Sequence, residues 1–580
     1  MRPVPASRAA STWLSCVALS LALPGCVSRP APVASGAADP AAAAAADAIR
    51  PEAIRAHMAF LADDLLQGRA PGTPGYDLAA RYARAHLEGI GLRGGAADGA
   101  WFQPVPLRRG QPVPGGSALM LRGAGGTRAL RFETDYTFVD HQAGIEREIS
   151  APVVFAGFGV TAPERQYDDY AGLDVRGRIV AILSNAPSTF PGTLRAYHAD
   201  SRTKQDNAAA HGAAGILGIR LPDDERRFPW DSVLRETRIG WSSLRWIDAA
   251  GRPAGLNEAI RAGALLNRSG SEALFAGEDH GLDAIFEAAA RGAPPAFPLR
   301  NNATILRRSR HTPVASHNVV AILEGSDPVL RREHVVYTAH LDHIGVGPVV
   351  DGDAIYNGAL DNAAGSAVVL EVARAFSRLP RPPRRSVVFL LVTAEEAGLV
   401  GSDHFAEHPT VPPESIVANI NLDGGATFFP ARDAIAWGEE HSDLKPLVRA
   451  AAAGAGLEIS PDPFPEETIF IRSDQYSFVR RGVPSVFVDL GLTSADPAID
   501  GGAVIRNWLV TDYHSPRDDM DQPFHFDSSA RLARLAFLLG HAVAMQDARP
   551  RWNEGDFFGE RFGRRAAGGA GPRGEPATAR

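Results

Sequence analysis

Three apolar runs in the second half of the chain each end in acids or imidazole. Val335 to Ala339 leads into His340-Leu341-Asp342, Ser386 to Thr393 into Ala394-Glu395-Glu396, and Ile416 to Leu422 into Asp423-Gly424. Runs this long, rich in β-branched residues, predict strands buried on both faces, as in a parallel sheet. Asn318 to Leu323 predicts another strand of the same sheet, and Gly365 to Leu379 a helix directly after Leu360-Asp361-Asn362. A loop, Asp512-Tyr513-His514-Ser515-Pro516, carries one further histidine. The pattern is that of an α/β fold: a mixed, mostly parallel sheet flanked by helices. In such sheets ligands gather at the carboxyl ends of the strands, where these polar clusters fall.

Upstream the patterning changes twice. Pro51 to Leu92 shows two helical periods separated by Gly68-Arg69-Ala70-Pro71-Gly72-Thr73-Pro74-Gly75, and in the second Leu78, Ala79, Tyr82, Ala83 and Leu87 share a face. From about 135 to 298 short strands dominate, at Val153 to Val160, Arg178 to Leu183 and Ala214 to Ile219, with a helix over Thr203 to Gly212. Nothing in that stretch has metal-ligand or nucleophile spacing, so it reads as an accessory β-rich module. The expected organisation is 50–134 and 299–548 as one discontinuous domain with 135–298 inserted.

The strand-end residues supply two histidines, several carboxylates and no cysteine. Imidazole with carboxylate suits a catalytic metal that keeps an open position, where cysteines would indicate a structural zinc. The count favours two ions. If Asp361 bridges them, each takes one histidine and one further carboxylate, and the remaining position is left for a shared water.

The order H-x-D, D-N, E-E, strand-end D and final H resembles the dizinc aminopeptidase family, whose relatives include glutamate carboxypeptidase and the transferrin receptor. The resemblance covers most of residues 50 to 545 and includes the Gly-Arg-x-x-Gly-Thr turn. It implies that His340 and Asp423 bind one zinc, that Glu396 and His514 bind the other, and that Asp361 bridges them. It further implies Glu395 as general base, Asp342 as the hydrogen-bond partner of His340 and Tyr513 as an oxyanion donor. Asp174 to Val180 and His211 to Gly215 resemble the protease-associated domain often inserted in these peptidases. Two departures bear on the pocket: the Gly345 to Gly358 loop is longer than in the smallest members, and Gly424 replaces a larger apolar residue. The implied activity is a zinc-dependent exopeptidase acting on peptides, with an aminopeptidase ahead of a dizinc carboxypeptidase, a glutaminyl cyclase or an inactive binding protein of the transferrin-receptor type.

Neighbouring groups receive blander readings. His343, His404 and His408 read as solvated or locally bonded, Asp351 and Asp353 as turn formers, and Ser473-Asp474 as a helix N-cap. A carboxypeptidase needs cationic donors for the substrate's terminal carboxylate. Arg472, Arg480, Arg481 and Arg517 are the candidates near the motifs, and Arg517 is the one that would overturn the aminopeptidase reading.

The ends of the chain bear on location. Arg2 and Arg8 precede a short apolar run, Trp13 to Leu23, which is followed by Pro24-Gly25-Cys26. Residues 1–26 read as an export signal resembling a bacterial lipoprotein processing site, with Cys26 lipidated and the protein held in the periplasm or on the outer membrane. Residues 27–49 read as a flexible linker and 549–580 as a disordered tail. The other cysteine of the two is Cys16, inside the signal, so no disulfide is expected. A net charge of −8 over 580 residues leaves no broad basic face, which argues against nucleic acid as a partner.

Overall fold

The computed structural model describes residues 39–563, except 124, 139–141, 143 and 240–242. The chain divides into two units, Met1–Asp39 and Pro40–Arg580. The expected signal and Cys26 lie outside the described residues. Within the described residues, no helix is long and apolar enough to cross a membrane.

The expected α/β architecture is present. Its centre is four parallel strands, Ser386–Val392, His334–His340, Ile416–Asn421 and Ser485–Leu490, adjacent in that order. Every residue of the first three is buried, which is why their sequences show no polar alternation. The sheet continues antiparallel on both sides. Asp433–Trp437 pairs with Ser485–Leu490, and the long strand Ala296–Leu323 pairs with Ser386–Val392. Helices Gly365–Ser377 and Phe526–Met545 bury apolar faces against one side of the sheet, together with Pro51–Leu61 and Pro74–Gly89. On Pro74–Gly89 the buried face is Tyr76, Ala79, Ala80, Ala83 and Leu87, whereas the expected Leu78 is exposed.

A second sheet holds most of the expected accessory module and has its own core, which includes Phe155, Ile179, Leu217 and Leu266. Ile179–Leu183 and Gly215–Ile219 pair in parallel, as do Gly215–Ile219 and Ala262–Leu266. The strand Ala296–Leu323 belongs to both sheets: residues through Arg308 pair with Glu146–Ala156, and residues from Ser309 pair with Phe102–Pro112. The sheets do not divide at 134 and 298. Ala118–Gly123 already pairs with the second sheet, while Leu244–Trp246 pairs with Phe102–Pro112 in the first.

Two expected flexible ends are shorter than their composition suggests. Pro40–Asp47 is a helix with Ala42, Ala45 and Ala46 buried, because alanine is both a strong helix former and small enough to dock closely. At the other end Phe557–Phe562 is helical with Phe558 fully buried, and Trp552 Nε1 donates to the Gly482 carbonyl at 3.1 Å. Aromatic anchors hold residues 549–563 that arginine, glycine and proline alone would leave solvated.

Candidate active site

His340 closes its strand, Glu395 and Glu396 follow Ser386–Val392, and Asp423 follows Ile416–Asn421. Three neighbouring parallel strands thus deliver their polar ends to one edge of the sheet. Asp361 and His514 arrive on loops. His340 Nε2 lies 3.1 Å from Asp361 Oδ1 and 3.1 Å from Asp423 Oδ1. His514 Nε2 lies 3.2 Å from Asp361 Oδ2 and 3.3 Å from Glu396 Oε2. The two oxygens of Asp361 therefore face two separate histidine–carboxylate pairs.

The loops are fixed from beneath. Asp518 accepts from the amides of Leu360 and Asp361 at 2.8 and 3.0 Å. Asn362 Oδ1 accepts from the amides of Gly365 and Gly424, while its Nδ2 donates to the Leu422 carbonyl at 2.9 Å. This one side chain ties the Asp361 loop to the Asp423 loop. Arg69, buried, donates to the carbonyls of Leu61, Leu341, Asn357 and Gly358. Its planar fork of donors is what allows one residue to hold several carbonyls at once. Gly358 has φ +60°, and a Cβ there would collide with the His343 ring, so both conformation and space demand glycine.

The charge balance is unusual for a protein interior. Among the described residues, the ion-pair partners of Asp361, Glu396 and Asp423 are histidines. Burial alone would lower the His340 pKa, but Asp423, Glu395 and Asp361 raise it well above the ordinary imidazole value. Burial would raise that of Asp361, yet His340 and His514 hold it well below the carboxylate range. Burial and Asp361 push Glu396 upward, and His514 and His343 outweigh them, leaving it at about 2. Glu395 behaves oppositely: burial, then Asp423, Asp474 and Glu396, raise it well above its ordinary value. Its carboxylate forms no hydrogen bond or ion pair with the described residues. So many acids and imidazoles sharing a buried edge fit a cation, and the ligand atoms of His340, Asp361 and Glu396 lie within 4.8 Å of one another. A second group, His57, His86 and Glu371, already contains its cation, since Arg374 Nε lies 2.8 Å from Glu371 Oε1.

Several placements differ from expectation. His340 Nδ1 lies 3.1 Å from the backbone carbonyl of Asp342, not from its carboxylate, which instead accepts from the Glu395 amide at 3.2 Å. Asp342 is fully buried and its carboxyl is raised to about 8 by burial. His343 is not solvated: it is fully buried, with Nδ1 2.5 Å from Glu396 Oε1. Its position three residues after His340, inside the same strand-end loop, was the available signal. Asp474 does not cap the helix Gln475–Val479, and Ser473 Oγ donates to Asp423 Oδ2 at 2.6 Å. His404 and His408 pack edge-on to Trp246. Tyr513 stacks on His514 with ring centroids 3.7 Å apart. His514 Nδ1 lies 3.0 Å from Glu236 Oε1, a residue of the stretch expected to be purely accessory. No sequence spacing marks Glu236, since it meets His514 only through the fold.

Residues 318–539 match the model of Peptidase family M28. This segment is an M28 peptidase domain. An aminopeptidase of Pseudomonas aeruginosa is 25% identical over 358 residues, 61% of this chain and 53% of that protein. The chain thus spans about half the length of the curated relatives it matches first. The mouse aminopeptidase NAALADL1 is 33% identical over 132 residues, 22% of this chain and 16% of its own. The solved aminopeptidase from Aneurinibacillus sp. strain AM-1 shares the fold, with a TM-score of 0.50 and 18% identity over 88% of this chain and 97% of that one. The M28 segment contains His340, Asp361, Glu395, Glu396, Asp423 and His514, while Glu236 and Arg69 lie outside it.

Proposed function

We propose that the chain is a dizinc aminopeptidase. The observation that carries the reading is the division of Asp361: Oδ1 beside His340 and Asp423, Oδ2 beside His514 and Glu396. His340 and Asp423 would hold one zinc and His514 and Glu396 the other, with Asp361 placed to serve both. The relatives named as zinc metalloproteases and aminopeptidases support the metal and the reaction class. When bound, zinc activates water near neutral pH and polarises the scissile carbonyl.

The protein's own groups supply the rest. Among the described residues the Glu395 carboxylate has no hydrogen-bond or ion-pair partner, which leaves it free to take a proton from the attacking water and pass it to the leaving amine. Asp342 fixes the Glu395 backbone through its amide. Tyr513, held by its stacking on His514, offers a hydroxyl to the developing oxyanion. The buried acids attract the cationic N-terminus of a peptide.

The four arginines that would read a terminal carboxylate have acid partners. Arg517 lies 2.6 Å from Asp351, and Arg480 and Arg481 face Asp403. Arg472 lies 3.4 Å from Glu467, but its charge also reaches Tyr513, Glu236 and Glu395, which makes it the one of the four nearest the site. A zinc-loaded enzyme should therefore cleave a free aminoacyl reporter and leave its N-acetylated form intact. Faster turnover of the acetylated peptide with release of its C-terminal residue would move the assignment to a carboxypeptidase. The second sheet is proposed as the protease-associated module, and residues 1–26 as a signal that leaves a lipidated Cys26. Cys26→Ser should then shift the protein out of the membrane fraction, and mass spectrometry finding an unmodified N-terminus would refute the anchor.

A further inference from the structure

Metal-binding histidines are normally oriented through their second ring nitrogen, which selects the tautomer and strengthens the ligand. For His340 that partner is a carbonyl of its own loop. For His514 it is the carboxylate of Glu236, on helix Trp230–Ile239, nearly three hundred residues away in sequence and outside the M28 segment. We infer that Glu236 is a positioning residue for the zinc site, supplied by the chain's accessory region, and that this region is therefore part of the metal centre. The inference rests on the dizinc reading.

Three observations converge on it. Glu236 Oε1 sits 3.0 Å from Nδ1, which leaves Nε2 as the ring atom turned towards Asp361 and Glu396. Both side chains are largely enclosed, at 28% exposure for Glu236 and 11% for His514, so the contact is partly shielded from water. The helix is also anchored where it stands. Trp230 Nε1 donates to the Glu133 carbonyl at 2.7 Å and Arg238 pairs with the Glu133 carboxylate at 2.8 Å. Downstream, Leu244–Trp246 joins the main sheet, Trp246 Nε1 donates to Asp403 at 2.9 Å, and Arg245 donates to the Ala397 carbonyl at 3.0 Å. Leu244 and Trp246 share a core with Ala394, Ala397 and Val400, which flank the glutamate pair. Helix Trp230–Ile239 thus braces the loop of His514, and strand Leu244–Trp246 the loop of Glu395 and Glu396.

The mechanism is geometric. A carboxylate on Nδ1–H holds the ring in the plane that presents Nε2 and raises its electron density towards a cation. A glutamine can still accept from Nδ1–H but brings no charge, and an alanine does neither.

The test measures zinc affinity by competition with a chromophoric chelator, and the electronic spectrum of the cobalt-substituted protein, on the full chain. Loss of an outer partner typically costs about 10- to 100-fold in metal affinity. Glu236→Ala should weaken one of the two zinc sites to that extent and alter the cobalt spectrum. Glu236→Gln should lie between alanine and wild type. In kinetics kcat should fall more than KM rises, since Glu236 does not touch substrate. Asp231→Asn, exposed on the same helix, should leave zinc affinity unchanged and so controls for the loss of an acid from this helix as such. If wild type binds zinc and Glu236→Ala or Glu236→Gln binds it equally tightly, the inference is overturned while the dizinc reading stands. If wild type binds no zinc, the reading itself fails and the inference with it.

Discussion

Glu395 and Glu396 are adjacent in the chain, yet their substitutions should fail in different ways. Glu396 lies 3.3 Å from His514 and 2.5 Å from His343, so Glu396→Gln should lower zinc content. Glu395 stands unpaired beside the cluster, so Glu395→Gln should keep both ions and lower kcat by about 10²- to 10⁴-fold, the usual loss for a general base. Metal analysis alongside kinetics distinguishes them, and zinc loss in Glu395→Gln with zinc retained in Glu396→Gln would reverse the two roles. At this scale the sequence was legible where chemistry is carried by residue type at a strand end, as for His340, Glu395, Glu396 and Asp423. It was not legible where a residue acts through distant backbone. Arg69 and Asn362 fall in motifs that do not say which carbonyls and amides of other loops they bond, and Asp518 falls in none.

Among the elements, the helix Phe526–Met545 lies against the strand His334–His340 at a point with no slack. A Cβ added at Gly540 would overlap the Tyr337 hydroxyl, which is fully buried and donates to the Ala536 carbonyl at 2.7 Å. Gly540→Ala should destabilise the fold by about 1–3 kcal/mol, the range for overpacking a closed core. Adding Tyr337→Phe removes the obstructing oxygen and should restore part of the loss. Chemical denaturation of the single and double variants checks this, and additive losses would show that the contact is not the cause. Buried strands and amphipathic helices were predictable because period and apolar length report burial directly. The second sheet's limits were not, since Ala118–Gly123 and Leu244–Trp246 are too short and too ordinary to say which sheet they join.

For the molecule as a whole, acid stability should depend on histidines outside the candidate site. Burial lowers His334 to about 4, and burial with His408 lowers His404 to about 4, from an ordinary 6.5. Between pH 6.5 and 4 the unfolded chain takes up protons that the folded sites refuse. Each site therefore removes stability as pH falls through that window, by up to about 1.4 kcal/mol per pH unit. The contribution is fully present above 6.5 and stops declining below 4. His334→Asn keeps a polar group near Ser415, whose hydroxyl lies 2.8 Å from His334 Nδ1, but cannot be protonated. Urea midpoints from pH 7 to 4.5 should fall less steeply for the variant. Parallel slopes would remove His334 from the account.

The strand shared by both sheets also bears on the order in which the molecule assembles. Phe102 pairs with Val319 and Pro112 with Ser309, contacts that close a loop of about 200 residues and are entropically slow to form. The second sheet consists largely of residues inside that loop, and its pairing of Glu146–Ala156 with the first half of the shared strand draws the loop's ends together. If the accessory sheet folds first it shortens that loop, and on this reading a mutation confined to its core, such as Ile179→Ala, should slow the appearance of structure around His340 in refolding experiments, whereas an unchanged rate would set the order aside.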